Sequence, residues 1–173
     1  VSGIWRSGSV RWGVSLGATI SSNICSVSQG RIFVGLSNGS VRILNKEDGS
    51  TLRSVSLGSG SVEGCAVSSG GEIFVSTSTG YIYKLDSGLN VLASKSLGSA
   101  VTAPAIDEVR KIVYVPRQNG VVLAYDLNLD PVGSVNLGTG INSGVAIGPK
   151  GEIYVGGSNG YLYMVTRVGS DFY

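Results

Sequence analysis

The chain of 173 residues has no histidine, two cysteines, four prolines and one methionine, and only 14% of it is charged. Without histidine it lacks the side chain most often used as a general base near neutral pH and the commonest metal ligand, which excludes Ser-His-Asp hydrolysis and His-built zinc centres. Cys25 and Cys65, two thiols without a C-x-x-C spacing, cannot close a structural zinc site either. No segment approaches the roughly 18 consecutive apolar residues of a membrane-spanning helix, so no membrane span is expected. The opening VSGIWRSGSV carries neither an initiator Met nor the apolar centre of a secretory signal, the expectation for a processed chain or a fragment. Thirteen basic and 11 acidic residues leave a net charge of +2, too small and too scattered for nucleic acid or an anionic membrane to be expected as partner.

Glycine is what the chain has in quantity, 27 residues, beside 42% hydrophobic residues. That balance belongs to a folded, turn-rich chain and not to a disordered one. Low charge with abundant Ser, Gly and Thr suits an exported protein, so an extracytoplasmic location is expected, whether secreted, periplasmic or on the cell surface.

One phrase recurs four times: IFVGLSNGSVRIL from Ile32, IFVSTSTGYIYKL from Ile73, VYVPRQNGVVLAY from Val113 and IYVGGSNGYLYMV from Ile153. The glycines inside it, Gly39, Gly80, Gly120 and Gly160, step by 41, 40 and 40, and a second series, Gly17, Gly58, Gly98 and Gly138, steps by the same amounts. A period of about 40 residues is that of propeller blades or of helical arrays. Short runs of Val, Ile and Tyr broken by Gly, Asn and Ser, with no apolar stripe of helical period, choose strands. In the second unit the strands read as 64–68, 73–77, 81–86 and 91–97, a four-stranded antiparallel meander with Asn-Gly-type hairpins in its sister units. Runs such as RIFVGL and YIYKLD place apolar side chains on both strand faces. Both faces must then be covered, which a blade achieves by stacking on copies of itself.

The units resemble those of the PQQ-like (quinoprotein-type) β-propeller family, with a repeat phrase of the form Tyr-Val-Gly-Ser-x-Asp-Gly-x-Leu-Tyr-Ala-Leu-Asp, then a Thr-Gly-Lys turn and a Trp. Here IYVGGSNGYLYMVT and VYVPRQNGVVLAYD correspond to the hairpin, KEDGSTL to the turn and VRWGVSLG to the Trp strand, over about residues 10 to 166. The chain departs from the pattern where Arg53, Ala93 and Gly133 replace the Trp that stands as Trp12, and where Asn45 and Thr166 replace the strand-ending Asp of Asp86 and Asp126. In the family that Trp docks one blade on the next, so these units are expected to be held either less tightly or by other contacts. The resemblance implies a fold and not an activity, because such propellers serve both as quinone dehydrogenases and as non-enzymatic scaffolds.

The fold expected is all-β: a single domain over 1–173 with four four-stranded blades of about 40 residues, at about 18–57, 58–97, 98–137 and 138–166. The fourth-type strand at 10–16 is placed to complete the last blade, which ends on a third-type strand. A closed four-bladed ring, an eight-bladed ring from two chains and an arc of a longer protein all remain open.

No catalytic residue, metal site or cofactor is expected, and the adjacent cysteines of quinone dehydrogenases are missing. Opposite parity in the first strands of neighbouring units would aim Cys25 and Cys65 at one interface, where a disulfide is conceivable; the plainer account is two small buried hydrophobes. Asp86 and Asp126 read as turn caps. The GSGSVEG stretch at 58–64 lacks the Lys and the helix of a phosphate loop. Topology should gather the connectors GATIS, GSGSV, GSAVT and GTGIN with the hairpins LSNG, TSTG, RQNG and GSNG on one edge of the ring, Arg117 being its only charge. Arg31, Lys46, Glu47, Asp48, Glu72, Glu108, Arg110, Lys111, Lys150 and Glu152 fall on the other. The neutral edge is either plain turn chemistry or a binding face; in the second case Arg117, Asn38, Asn119 and Asn159 are its ligand-binding residues. Tyr81, Tyr83, Tyr161 and Tyr163 read as packing between blades, or as a sugar platform. The function expected is a non-catalytic scaffold for a protein partner or ligand, with a homodimer as one partner arrangement. A piece of a quinone-dependent dehydrogenase and a glycan-binding propeller are the alternatives, separable by quinone absorbance and by sugar-dependent thermal stabilisation.

Overall fold

The computed structural model describes residues 8–58 and 60–166. Among them there is no helix, and fifteen strands run in chain order: β1 Cys25–Val27, β2 Arg31–Gly35, β3 Ser40–Asn45, β4 Thr51–Ser56, β5 Val62–Val67, β6 Ile73–Thr77, β7 Tyr81–Leu85, β8 Val91–Ser96, β9 Ala105–Asp107, β10 Ile112–Pro116, β11 Val121–Asp126, β12 Pro131–Asn136, β13 Ile141–Ile147, β14 Ile153–Gly157 and β15 Leu162–Val165. They form four antiparallel meanders, β1-β2-β3-β4, β5-β6-β7-β8, β9-β10-β11-β12 and β13-β14-β15, which are blades one to four. Each local pairing follows from a tight hairpin between its second and third strands, whose glycine takes positive φ in every blade: 79° at Gly39, 82° at Gly80, 97° at Gly120 and 83° at Gly160. The repeat extends to its irregularities. The third and fourth strands slip register between Ile43 and Leu44, between Lys84 and Leu85, and between Ala124 and Tyr125, the same place in three blades.

Blades are held face to face by apolar clusters. Phe33, Val41 and Ile43 of blade one meet Cys65, Ile73, Val75 and Leu89 of blade two. Phe74, Ile82 and Leu97 then meet Val101, Val113, Val115 and Leu129 of blade three, and Tyr114, Val122 and Ala124 meet Ile141, Ile153 and Val155 of blade four. Both faces of a middle blade are therefore buried, which is why β6 is buried along its whole length and why clean alternation of polar and apolar residues is lost there. A fourth cluster, Leu16, Val34, Leu36 and Leu44, lies on the far face of blade one and takes no residue from blade four.

The expectation for residues 10–16 needs correction. They form no strand, the fourth sheet has three strands and not four, and Trp12 instead packs on blade one, donating its indole N–H to the Lys46 carbonyl at 3.0 Å. Among the described residues β15 is paired on one side only and the far face of blade one is only partly covered, so the described blades make an open arc.

Candidate functional site

The two edges of the arc differ in chemistry as topology predicts. On one edge each connector entering a blade is tied to that blade's hairpin by a backbone bond of the same kind: Ser37 N–H to the Thr19 carbonyl at 2.9 Å, Ser78 to Ser61 at 2.8 Å, Gln118 to Ala100 at 2.8 Å and Ser158 to Gly140 at 2.8 Å. The hairpins thus stand in a row, presenting exposed Asn38, Asn119 and Asn159 at one position, with Thr79 in blade two. In each Asn the side-chain oxygen accepts the backbone N–H two residues on, from Ser40 at 3.1 Å, Val121 at 3.3 Å and Tyr161 at 3.2 Å. That is turn chemistry, and it fixes the amide so that its nitrogen faces away. The Asn159 nitrogen donates to the Tyr163 hydroxyl at 2.8 Å. Those of Asn38 and Asn119 meet no acceptor among the described residues.

Arg117 stands one turn before Asn119. Its backbone pairs with Val101 and bonds Val121 at 2.8 Å, while its side chain reaches back toward Gly98 and toward Tyr125, whose phenol burial pushes above the usual range and the guanidinium pulls back down. It is half-buried, its Nε is buried without a hydrogen-bond partner, and no carboxylate pairs with it among the described residues. The edge is less uniformly neutral than its connectors suggest. Glu63, directly after GSGSV, accepts the Ser61 hydroxyl at 2.5 Å and puts a carboxylate beside it.

The opposite edge is charged and largely self-satisfied. Burial tends to raise Glu108, but bonds from Lys111 and Ser69 outweigh it and hold the carboxyl below the usual range. Asp107 is likewise held down against burial by the Arg110 backbone and guanidinium and the Val109 N–H. Asp86 accepts from Asn90 and Gly88, which lowers it, as the turn-cap reading expects. Asp126 caps its turn through the N–H groups of Asn128 and Asp130. A shallow cleft of about 500 Å³ on this edge is lined by Ser26, Ser28, Ser68, Ser69 and Glu108. Its Ser68, Ser69 and Glu108 groups already bond within the protein, Ser68 to Glu72 and Ser69 to Glu108.

Two further features tie blades one and two. Cys25 and Cys65 are joined as a disulfide across 6.3 Å between α-carbons, so they are not the pair of buried thiols that the plainer reading favours. Asn23, unremarked in the sequence, clamps Cys65 with both ends of its amide, accepting the N–H at 2.9 Å and donating to the carbonyl at 3.1 Å. The tyrosines divide: Tyr83 donates to the Leu57 carbonyl of blade one at 3.1 Å, a packing role, whereas Tyr161 is 67% exposed. Among the described residues no three His, Cys, Asp or Glu side chains are grouped to hold a metal ion.

A row of antiparallel meanders, three of four strands and one of three, packed face on face with connectors on one edge and charged turns on the other, is a β-propeller architecture. The chain belongs to the PQQ-like repeat family: the family described as "Outer membrane protein assembly factor BamB" matches residues 37–132, more than half of its length. Among solved structures it is similar to BamB from Moraxella catarrhalis, at 20% identity over 91% of this chain and 49% of that one, with a TM-score of 0.76. It is also similar to two computationally designed proteins. Ika4 is matched at 14% identity, over 92% of this chain and 98% of that one, with a TM-score of 0.78, and Ika8 at 16%, over 86% and 46%, with a TM-score of 0.73. The chain therefore spans about half the length of the BamB and Ika8 chains. No curated protein matches it in sequence.

Proposed function

We propose that the chain is a non-catalytic, extracytoplasmic binding scaffold whose hairpin edge takes an extended polypeptide segment of a protein partner, with a carboxylate of that segment meeting Arg117. The observation that carries this reading is the contrast between edges. Carboxylates of the charged edge other than the exposed Asp130 are capped or ion-paired within the protein, whereas the hairpin edge holds Arg117 without a carboxylate and the Asn38 and Asn119 amides without acceptors. Rigid blades with donors in a row suit main-chain recognition, in which hydrogen bonds give affinity and a charge gives register. Membership of a family described as an outer membrane protein assembly factor supports both a protein partner and a location outside the cytoplasm.

The test is an NMR titration with a short capped peptide alternating Val and Thr about one central Asp. Shifts of the Arg117 Nε–H and of the Asn38, Asn119 and Asn159 side-chain amides, lost in Arg117→Met, are expected. Shifts confined to the charged edge, or none, refute the reading. A bound quinone absorbance would instead favour a dehydrogenase piece, and thermal stabilisation by simple sugars a glycan-binding propeller on the exposed Tyr161.

A further inference from the structure

Among the described residues blade four differs from the other three in one specific way. The residue two after the hairpin glycine is fully buried in three blades, as Val41, Ile82 and Val122 at 0%, and its counterpart Leu162 is 72% exposed. Four after the glycine stand Ile43, Lys84 and Ala124, at 8% or less, and Met164 at 60%. The hairpin glycines tell the same story: a side chain at Gly39, Gly80 or Gly120 would strike the backbone of the connector that follows the fourth strand, and at Gly160 it would meet nothing. At the inner end, Ser21 and Thr102 hydroxyls reach carbonyls of the next blade, Val62 at 2.7 Å and Ser143 at 2.8 Å, while the corresponding Asn142 is exposed and meets no acceptor among the described residues.

The missing piece exists at the other end of the arc. Residues 10–16 carry the fourth-strand pattern, and Leu16 lies on the far face of blade one in the same relation as Leu57 to blade two and Leu97 to blade three. Gly17 that follows has φ 76°, close to Gly98 at 67° and Gly138 at 69°. The segment thus leaves blade one along the path of a preceding blade's outer strand, and no described residue supplies the rest of such a blade. In blade one, β3 pairs with β4 through Ser40 and Ser56, Val41 and Val55, Ile43 and Arg53. Transferred to the open edge, this register sets Ser15 opposite Tyr161, Val14 opposite Leu162, and Trp12 opposite Met164, beside a hollow of about 400 Å³ lined by Met164 and Thr166.

We propose that residues 10–16 of a second copy form the outer strand of blade four, and that the exchange is reciprocal, so that two chains close one eight-bladed ring. A second copy is favoured over the chain's own segment because no apolar cluster among the described residues joins blade four to blade one. The same four blades superpose on 49% of the BamB chain and 46% of the Ika8 chain, each about twice as long, and on 98% of the Ika4 chain, which is about as long as this one. Val14, 44% exposed, and Leu162 are then buried against each other across the junction, while Trp12 still docks on its own blade one.

The native mass of the unaltered chain comes first: twice 17.8 kDa is expected, and a single-chain mass overturns the proposal. The double variant Val14→Cys and Leu162→Cys, oxidised and run without reductant, then identifies the donor. A covalent dimer is expected. A cross-link within one chain means self-closure, and no cross-link means that the edge takes neither strand; both refute the exchange.

Discussion

The indole of Trp12 lies across the α-carbon of Gly49, so near that a methyl group there would stand 2.6 Å from Cε3. Gly49 is the positive-φ residue of the third-to-fourth turn in blade one, at 73°, and its counterparts are Leu89 at 63° and Leu129 at 64°. Both leucines are buried at the junction with the preceding blade. Where the segment at the preceding outer-strand position offers Trp the turn has Gly, and where a preceding outer strand offers Arg53 or Ala93 the turn supplies a Leu that fills the junction itself. Arg53 also reaches the second of these turns, its guanidinium 3.5 Å from the Asn90 side-chain oxygen. The exchange accepts a left-handed backbone at a branched residue, a cost of about 1–2 kcal/mol, which burial of the leucine offsets.

Gly49→Ala is therefore expected to lower stability by about 1–3 kcal/mol, from backbone strain and from displacement of the indole. In a Trp5→Phe background the emission of Trp12 should shift to the red as the ring enters water. Unchanged emission and urea midpoint would show that the indole does not dock there.

Reduction of Cys25–Cys65, which are 40 residues apart, should cost roughly 3–4 kcal/mol by the loop-closure account. The fold should persist at moderate temperature, because the Asn23 clamp on Cys65 and the surrounding apolar cluster remain. The check is the melting temperature with and without reductant, compared with Cys25→Ser/Cys65→Ser. An unaltered protein indifferent to reductant would argue that the bridge contributes nothing.

Much of this architecture was legible because a repeat states each local rule several times. The strands read at 73–77 and 81–86 return as Ile73–Thr77 and Tyr81–Leu85, and the two-edged sorting of turns follows from meander topology alone. What was hidden depends on neighbours in space. Trp12, Gly49, Leu89 and Arg53 look like scattered departures from a motif until the blades are stacked, when they become alternative fillings of one junction. Residues 10–16 have the composition of a strand, but a strand forms only against a partner, and the described residues offer none within reach. Asn23 gives no signal at all in sequence, since its clamp exists only across a blade junction. Of the candidate site, the row of hairpins was readable; the half-buried path of the Arg117 side chain was not.

Acid should destabilise the protein through Asp86, Asp107 and Glu108. Their folded values lie below the ordinary ones, so their stabilisation is complete above about pH 4.5 and is lost as pH falls through the depressed values. Burial raises Tyr83 and Tyr114, which adds a loss on the alkaline side as pH climbs past 10. Melting temperatures should be flat between these limits and fall outside them, with a shallower acid limb in Asp107→Asn. A melting temperature unchanged down to pH 3 would contradict the assignment.

Lys84 occupies the position filled by Ile43 and Ala124 in neighbouring blades and is only 8% exposed, with its ammonium 2.7 Å from the Glu72 carboxylate. A lysine stem covers apolar surface well, but its charge at a blade junction is tolerable only while the carboxylate remains. Removing one partner and removing both should then differ in sign or size. Glu72→Gln should cost roughly 1–3 kcal/mol, moderated because Glu72 is itself 31% exposed. Lys84→Met, which keeps the stem and drops the charge, should be neutral or mildly stabilising, since the other blades already place apolar residues there. With Lys84→Met in place, Glu72→Gln should lose most of its effect, a coupling that a double-mutant cycle in urea reads directly. Additive costs would mean that the pair is a surface contact, and that some interaction other than Glu72 holds Lys84 in the junction.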